Sequence, residues 1–193
     1  MDRKTRVYIY AFLSRMFAKE ADLNVIRDLK ETGILESLGE ESVEWFGKLS
    51  EEEILDRLNV DFSSLFLVNA HPIESIVLDD KDEALVGLQN PVMQFYFNHG
   101  YDLFLDKTEI QTPDHIALEF AFMQNLILKE EDRAAREFLQ THLLQWAPQY
   151  LLAVAREAET PFYRELCEFA AEFLIADYDL LVREFKEGVD ESS

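Results

Sequence analysis

Four histidines and one cysteine are the side chains in this 193-residue sequence with the widest range of chemistry. The histidines are His71, His99, His115 and His142. A dinuclear metal site in a helical bundle takes Glu-x-x-His from two helices. The residues three positions ahead of these histidines are Val68, Tyr96, Thr112 and Leu139, so no metal site is expected. His115 and Glu119 stand one helical turn apart, a spacing that more often makes a surface contact than a shared ligand site. Cys167 falls among Phe162, Leu166, Phe169 and Phe173, the setting of a buried small hydrophobe. A lone cysteine forms no intrachain disulfide, which suits a reducing compartment. The sequence contains no phosphate-binding loop, dinucleotide fingerprint, nucleophile elbow or Cys-x-x-Cys motif. No catalytic residue is assigned from these patterns.

One short run has more to say. Gln111-Thr112-Pro113-Asp114-His115 ends an irregular stretch and opens an apolar helical pattern. Thr112 suits a helix cap, and Pro113 suits the first helical position, where the missing N–H has no helical partner. Asp114 would lie in the first turn, which favours an anion. His115 is different: it adds a pH-sensitive donor that capping does not require. The Thr160-Pro161 start has Phe162-Tyr163 in the corresponding places and is the plain version.

The elements around this run are helical. Val7, Tyr10, Ala11, Ser14 and Phe17 share one face of a first helix over about residues 4–18. Asp22 can cap a second, which Gly33 ends. A short amphipathic piece lies near residues 43–49. Ser50 and Glu53 form a capping box before Ile54 and Leu58. Residues 60–67 read as a further buried helix. Residues 69–82 read as a loop, since Pro72 disfavours helix at His71. Helix returns over 83–99 and closes at Gly100. The stretch 100–111 is irregular and is expected to be a hinge. Ile116, Phe120, Met123 and Ile127 then mark the clearest helix. Helices near 131–144 and 148–158 follow, with Pro148 in a first turn. The Thr160-Pro161 helix comes last, and the final KEGVDESS reads as a frayed acidic tail.

Composition agrees. Hydrophobic residues are 48%, enough for a core, while Gly 6 and Pro 5 are too few for the turns of an all-β fold. The expected fold is all-α: a single compact bundle of about nine to eleven helices over residues 1–193. The net charge of −21 repels nucleic acid and anionic membranes, and it serves either solubility alone or a cationic partner such as a basic peptide. The longest uncharged runs are too short to cross a bilayer, and the N-terminus lacks a cleavage-site pattern. A cytoplasmic location without stable membrane insertion is expected.

Thr112-Pro113-Asp114-His115-Ile116-Ala117-Leu118-Glu119-Phe120 and the residues after it resemble the signature helix of the TorD/DmsD/NarJ family of molybdoenzyme chaperones. The resemblance continues upstream in Asp61-Phe62-Ser63-Ser64-Leu65-Phe66-Leu67 and in Pro72-Ile73-Glu74-Ser75-Ile76-Val77-Leu78. Downstream it includes His142-Leu143-Leu144-Gln145-Trp146-Ala147-Pro148 and Thr160-Pro161-Phe162-Tyr163. Ile73 and Val77 stand where the family often has aromatics. The resemblance implies an all-helical, TorD-like protein without catalysis. It would bind the twin-arginine signal peptide of a molybdoenzyme precursor and delay export until the cofactor is inserted. Pro113, Asp114 and His115 would line the peptide site, with Glu74 and Ser75 opposite and Phe66 and Trp146 as walls. No resident cofactor is implied, although some members bind guanine nucleotide weakly. The implied state is a monomer, with domain-swapped dimers in some members. From the residues alone, a metal-dependent helical enzyme and a general helical interaction scaffold remain alternatives.

Overall fold

The computed structural model describes residues 1–78, 87–105 and 110–190, with backbone alone for Leu88 and residues 184–190. Eleven α-helices are present among the described residues, and no strand longer than a single bridge. The all-helical expectation holds. The chain groups into two compact units. Unit 1 takes Met1–Ala18, Pro72–Pro148 and Glu172–Ser193, and unit 2 takes Lys19–His71 and Gln149–Ala171.

Unit 2 begins with α2 (Leu23–Glu31), α3 (Ile34–Leu38), α4 (Glu40–Lys48) and α5 (Glu51–Phe62). The Asp22 carboxylate caps α2 by accepting the Asn24 and Val25 N–H groups at 2.9 and 3.1 Å. Ser50 and Glu53 cap α5 reciprocally, as their spacing predicts. Asn59 works like a strand partner for Ala21: its amide accepts the Ala21 N–H at 2.9 Å and donates to the Ala21 carbonyl at 3.1 Å. The expected separate helix at 60–67 does not form. Instead α5 runs directly into a widened π-helical turn, Ser63–Asn69, so that Phe62 and Phe66 stay on one face with rings 5.2 Å apart. Tyr163 of α11 (Pro161–Asp190) packs on both. The α11 start is capped as Thr160-Pro161 suggested, but a distant residue strengthens it. Buried Asp61 accepts the Thr160 N–H at 2.8 Å, the Thr160 hydroxyl at 2.6 Å and the Glu159 N–H at 3.2 Å.

Unit 1 is built on α1 (Arg3–Ala18) packed along α8 (Ile116–Leu128). Tyr10, Leu13, Met16 and Phe17 are buried on one side, and Ile116, Phe120, Met123 and Ile127 on the other. The Ser14 hydroxyl donates to the Ala117 carbonyl at 2.8 Å. Arg6 is almost fully buried yet charged, so it needs an anion. Asp177 of α11 supplies one through two hydrogen bonds, at 2.5 and 3.1 Å, and also accepts the Tyr10 hydroxyl at 2.9 Å. Helices α7 (Pro91–Asn98), α9 (Asp132–Phe138) and α10 (Leu144–Glu157) complete the set together with the short α6 (Glu74–Leu78). Most of α10, its residues 149–157, belongs to unit 2.

Several boundaries differ from the sequence reading. The described part of the 83–99 segment is a 3₁₀ turn, Gly87–Gln89, followed by α7, because Asn90 caps a new start through the Val92 N–H at 2.9 Å and Pro91 occupies the first position. Residues 83–86 lie outside the described residues. Within the expected loop 69–82, residues 74–78 form α6; residues 79–82 lie outside the described residues. Pro148 is inside α10 rather than at a helix start. The preceding π-helical turn, Leu139–Leu143, carries α9 into α10 without a break. The expected hinge, residues 100–111, lies within unit 1, and its residues 106–109 lie outside the described residues. Residues 186–190, expected to fray, continue α11, and residues 191–193 lie outside the described residues.

Candidate functional site

The site forms where the 72–74 segment meets 113–116. Thr112 and Pro113 do not start α8. His115 is the cap: its backbone is extended, and its Nδ1 accepts the Ala117 N–H at 3.2 Å. Residues 113–115 are instead drawn into a short antiparallel pairing of Ile73 with His115. The Ile116 N–H donates to the Pro72 carbonyl and the Glu74 N–H to the Asp114 carbonyl, both at 2.9 Å. A long-range backbone pairing has therefore won over a locally favourable helix start.

That pairing makes Asp114 the cap of α6. Its Oδ2 accepts the Ser75 N–H at 2.9 Å. Asp114 is 1% exposed, so its carboxylate faces the protein interior. Pro113 is buried as well, and its carbonyl accepts the Tyr96 hydroxyl at 3.1 Å. The Glu74 side chain turns inward to His142, with Oε1 and Nδ1 3.0 Å apart. The widened turn at 139–143 places His142 there.

Behind these groups stands Glu119, completely buried. The expectation of a surface contact between His115 and Glu119 is corrected: the Glu119 carboxyl is inside, on the α8 side of the cluster. Burial, and then the Glu74 and Asp114 carboxylates, raise its pKa well above the ordinary range, against a smaller lowering by the Trp146 side chain. Burial also raises the nearby Tyr96 phenol. Neither Glu119 oxygen has a hydrogen bond of good geometry, and Glu74 Oε2 and Asp114 Oδ1 are in the same condition. Three carboxyl groups thus converge with acceptor atoms in excess of donors.

The structure brings together Pro113, Asp114, His115, Glu74 and Ser75, with Trp146 close to Glu119. Phe66 has its place in unit 2, packed against Phe62 and Tyr163. Phe66 and Trp146 are each 1% exposed and wall the core rather than a surface groove. His115 is half-buried. The outer face of α6 is apolar and open, with Val77 42% and Leu78 55% exposed. Glu119 and His142 were missed as members of the site. One signal for Glu119 was present: it is the lone charge in IALEFAFM, an apolar run with no polar face to hold it.

Among the described residues, no group of three or more His, Cys, Asp or Glu is arranged to hold a metal ion. No helix among them is long and apolar enough to cross a membrane. Burial pushes the Cys167 thiol far up, away from the thiolate form.

Comparison with known proteins supplies the family. Residues 27–151 match the family model described as nitrate reductase delta subunit. A chaperone protein TorD of Shewanella pealeana is 27% identical, over 94% of this chain and 91% of the relative. Another of Shewanella oneidensis is 24% identical, over 97% and 95%. A third, of Vibrio vulnificus, is 29% identical, over 92% and 94%. The resemblance drawn from the Pro113-Asp114-His115 turn and its flanking motifs therefore holds along the length of the sequence, and the chain belongs to the nitrate reductase delta subunit family.

Proposed function

We infer that this protein is a maturation chaperone for a molybdoenzyme precursor, recognising the twin-arginine signal peptide in the cytoplasm and assisting cofactor insertion before export. The observation that carries this reading is the near end-to-end similarity to proteins named as TorD chaperones. The chain's own physics supports it. A twin-arginine leader is basic and then apolar, and this protein offers a net charge of −21 and the open apolar face of α6. In this reading His115 stands at the edge of the peptide site and donates to peptide carbonyls. Pro113, Asp114, Glu74 and Ser75 act through α6, by fixing where Val77 and Leu78 are presented.

Titration calorimetry with a twin-arginine leader peptide tests this. Binding at micromolar Kd or tighter is expected, roughly −8 kcal/mol, and it weakens as salt screens the charges over about 8–10 Å. No heat and no competition with several such leaders would overturn the reading. Val77→Asp and Leu78→Asp should each weaken binding by about tenfold or more, because a charge then enters an apolar contact.

A further inference from the structure

The buried carboxyl cluster has an unusual hydrogen-bond deficit. Glu119, Glu74 and Asp114 together leave four oxygens without a donor of good geometry. The Trp146 side chain acts as a donor toward Glu119, but its effect is smaller than that of burial and the two carboxylates, and the titratable groups on the neighbouring elements are engaged elsewhere. On α7, the Tyr96 hydroxyl is taken by the Pro113 carbonyl. On the π-helical turn, His142 is held by Glu74. Beyond α7, Tyr101 packs its ring on Tyr96 and Phe122. On α1, Arg6 and Tyr10 are bound to Asp177. At the start of α9, Asp132 is paired with Arg3, and Glu131 lies 3.6 Å from His99. Three bare carboxylates sealed together opposite one histidine would be prohibitively costly. A proton on Glu119 supplies a donor and removes a charge at once.

The same two carboxyl groups that crowd Glu119 are the anchors of α6. Asp114 accepts the Ser75 N–H through its side chain and the Glu74 N–H through its carbonyl. Glu74 ties the first turn of α6 to His142. We propose that Glu119 is held as a neutral carboxylic acid that latches α6, and that loss of this proton loosens the helix from its anchors. Ionised Glu119 repels Asp114 and Glu74, and the strain is relieved when α6 lifts and water reaches the carboxylates. The proton goes to solvent. By linkage, opening of α6 becomes easier as pH rises above the ordinary glutamate range, by up to about tenfold per pH unit for one proton. This regulation concerns the unliganded protein and stands whichever client the chaperone serves.

Hydrogen exchange of the Glu74 and Ser75 amides reads the opening directly, as protection factors corrected for intrinsic exchange. We expect their protection to fall by up to tenfold per pH unit between about pH 6 and 8, with little change at the Val25 and Ile26 amides of α2. In Glu119→Gln, which keeps the shape and a neutral group, the protection should be independent of pH. PH-independent protection in the native protein, or an unchanged pH dependence in Glu119→Gln, would overturn the proposal. Infrared spectroscopy of the native protein gives a second reading that needs no variant. A carboxylic acid C=O band present at neutral pH and lost as pH rises supports the latch, and its absence at neutral pH sinks it.

Discussion

At the scale of single residues, Asp114 and Glu119 are two acids in one buried cluster with opposite consequences for stability. Asp114 has work as an acceptor. Asp114→Ala takes this acceptor from the Ser75 N–H, a buried hydrogen bond whose loss costs about 1–3 kcal/mol. For a domain of this size that lowers Tm by roughly 2–4 °C per kcal/mol. His115→Ala loses the cap on Ala117, about 0.5–2 kcal/mol. Thermal unfolding of both variants checks the order. Glu119 behaves the other way with pH. Its folded-state pKa lies above its unfolded one. The stability it contributes is therefore full below about pH 4.3 and is lost as pH rises toward the raised value. Glu119→Gln removes that loss, and its amide offers two donors to the bare oxygens of Glu74 and Asp114. Urea unfolding from about pH 5 to 8 should show Glu119→Gln gaining on the native protein by up to about 1.4 kcal/mol per pH unit. A constant difference between the two would contradict the assignment.

The helices show a second division, between caps made by neighbours in sequence and caps made from afar. Asp22, the Ser50–Glu53 box and Thr160 cap their own helices, and all were readable from a few adjacent residues. Asp61 reaches Thr160 across 99 positions, and Glu165 reaches α4 across more than 120 to accept the Glu41 and Ser42 N–H groups at 3.1 and 2.8 Å. No local pattern announces such a cap. The same reason hides α6, whose five residues are too few to form a helix alone and are held by Asp114, and it misplaces the start of α8. Two experiments separate the classes. Asp61→Ala strips three hydrogen bonds from a buried helix start and should cost on the order of 3 kcal/mol. Asp22→Ala, at an exposed cap, should cost about 1 kcal/mol. Gly39→Ala puts a methyl group against the Glu165 carboxylate and forces it off its two N–H groups, for about 1 kcal/mol. In a Glu165→Ala background the same change should cost almost nothing, a coupling that a double-mutant cycle measures.

For the molecule as a whole, the excess of 39 acidic over 18 basic residues sets how it responds to ions. Like charges on one folded chain repel, and salt screens them. Raising salt toward about 0.15 M, where the screening length is about 8 Å, should therefore raise Tm while it weakens leader binding. Opposite signs for the two effects distinguish general self-repulsion from recognition. The fold class was legible at this scale because helical periodicity, few turn formers and absent alternation all agree. Unit 1, in contrast, joins three separated stretches of chain, and nothing in a sequence window signals which stretches meet.

The pairing of Arg6 with Asp177 ties the first helix to the last. A ribosome delivers the chain from the N-terminus at about 5–20 residues per second. Arg6 emerges early, while the carboxylate that neutralises it is still unmade for roughly ten seconds or more. During that interval α1 has an apolar face with a cation in it and no completed partner. Closure of unit 1 then waits until Asp177 has left the exit tunnel, whereas unit 2's first stretch emerges earlier. Nascent chains stalled before Asp177 should accordingly remain protease-sensitive at α1, and those stalled far enough beyond it for α11 to emerge should not.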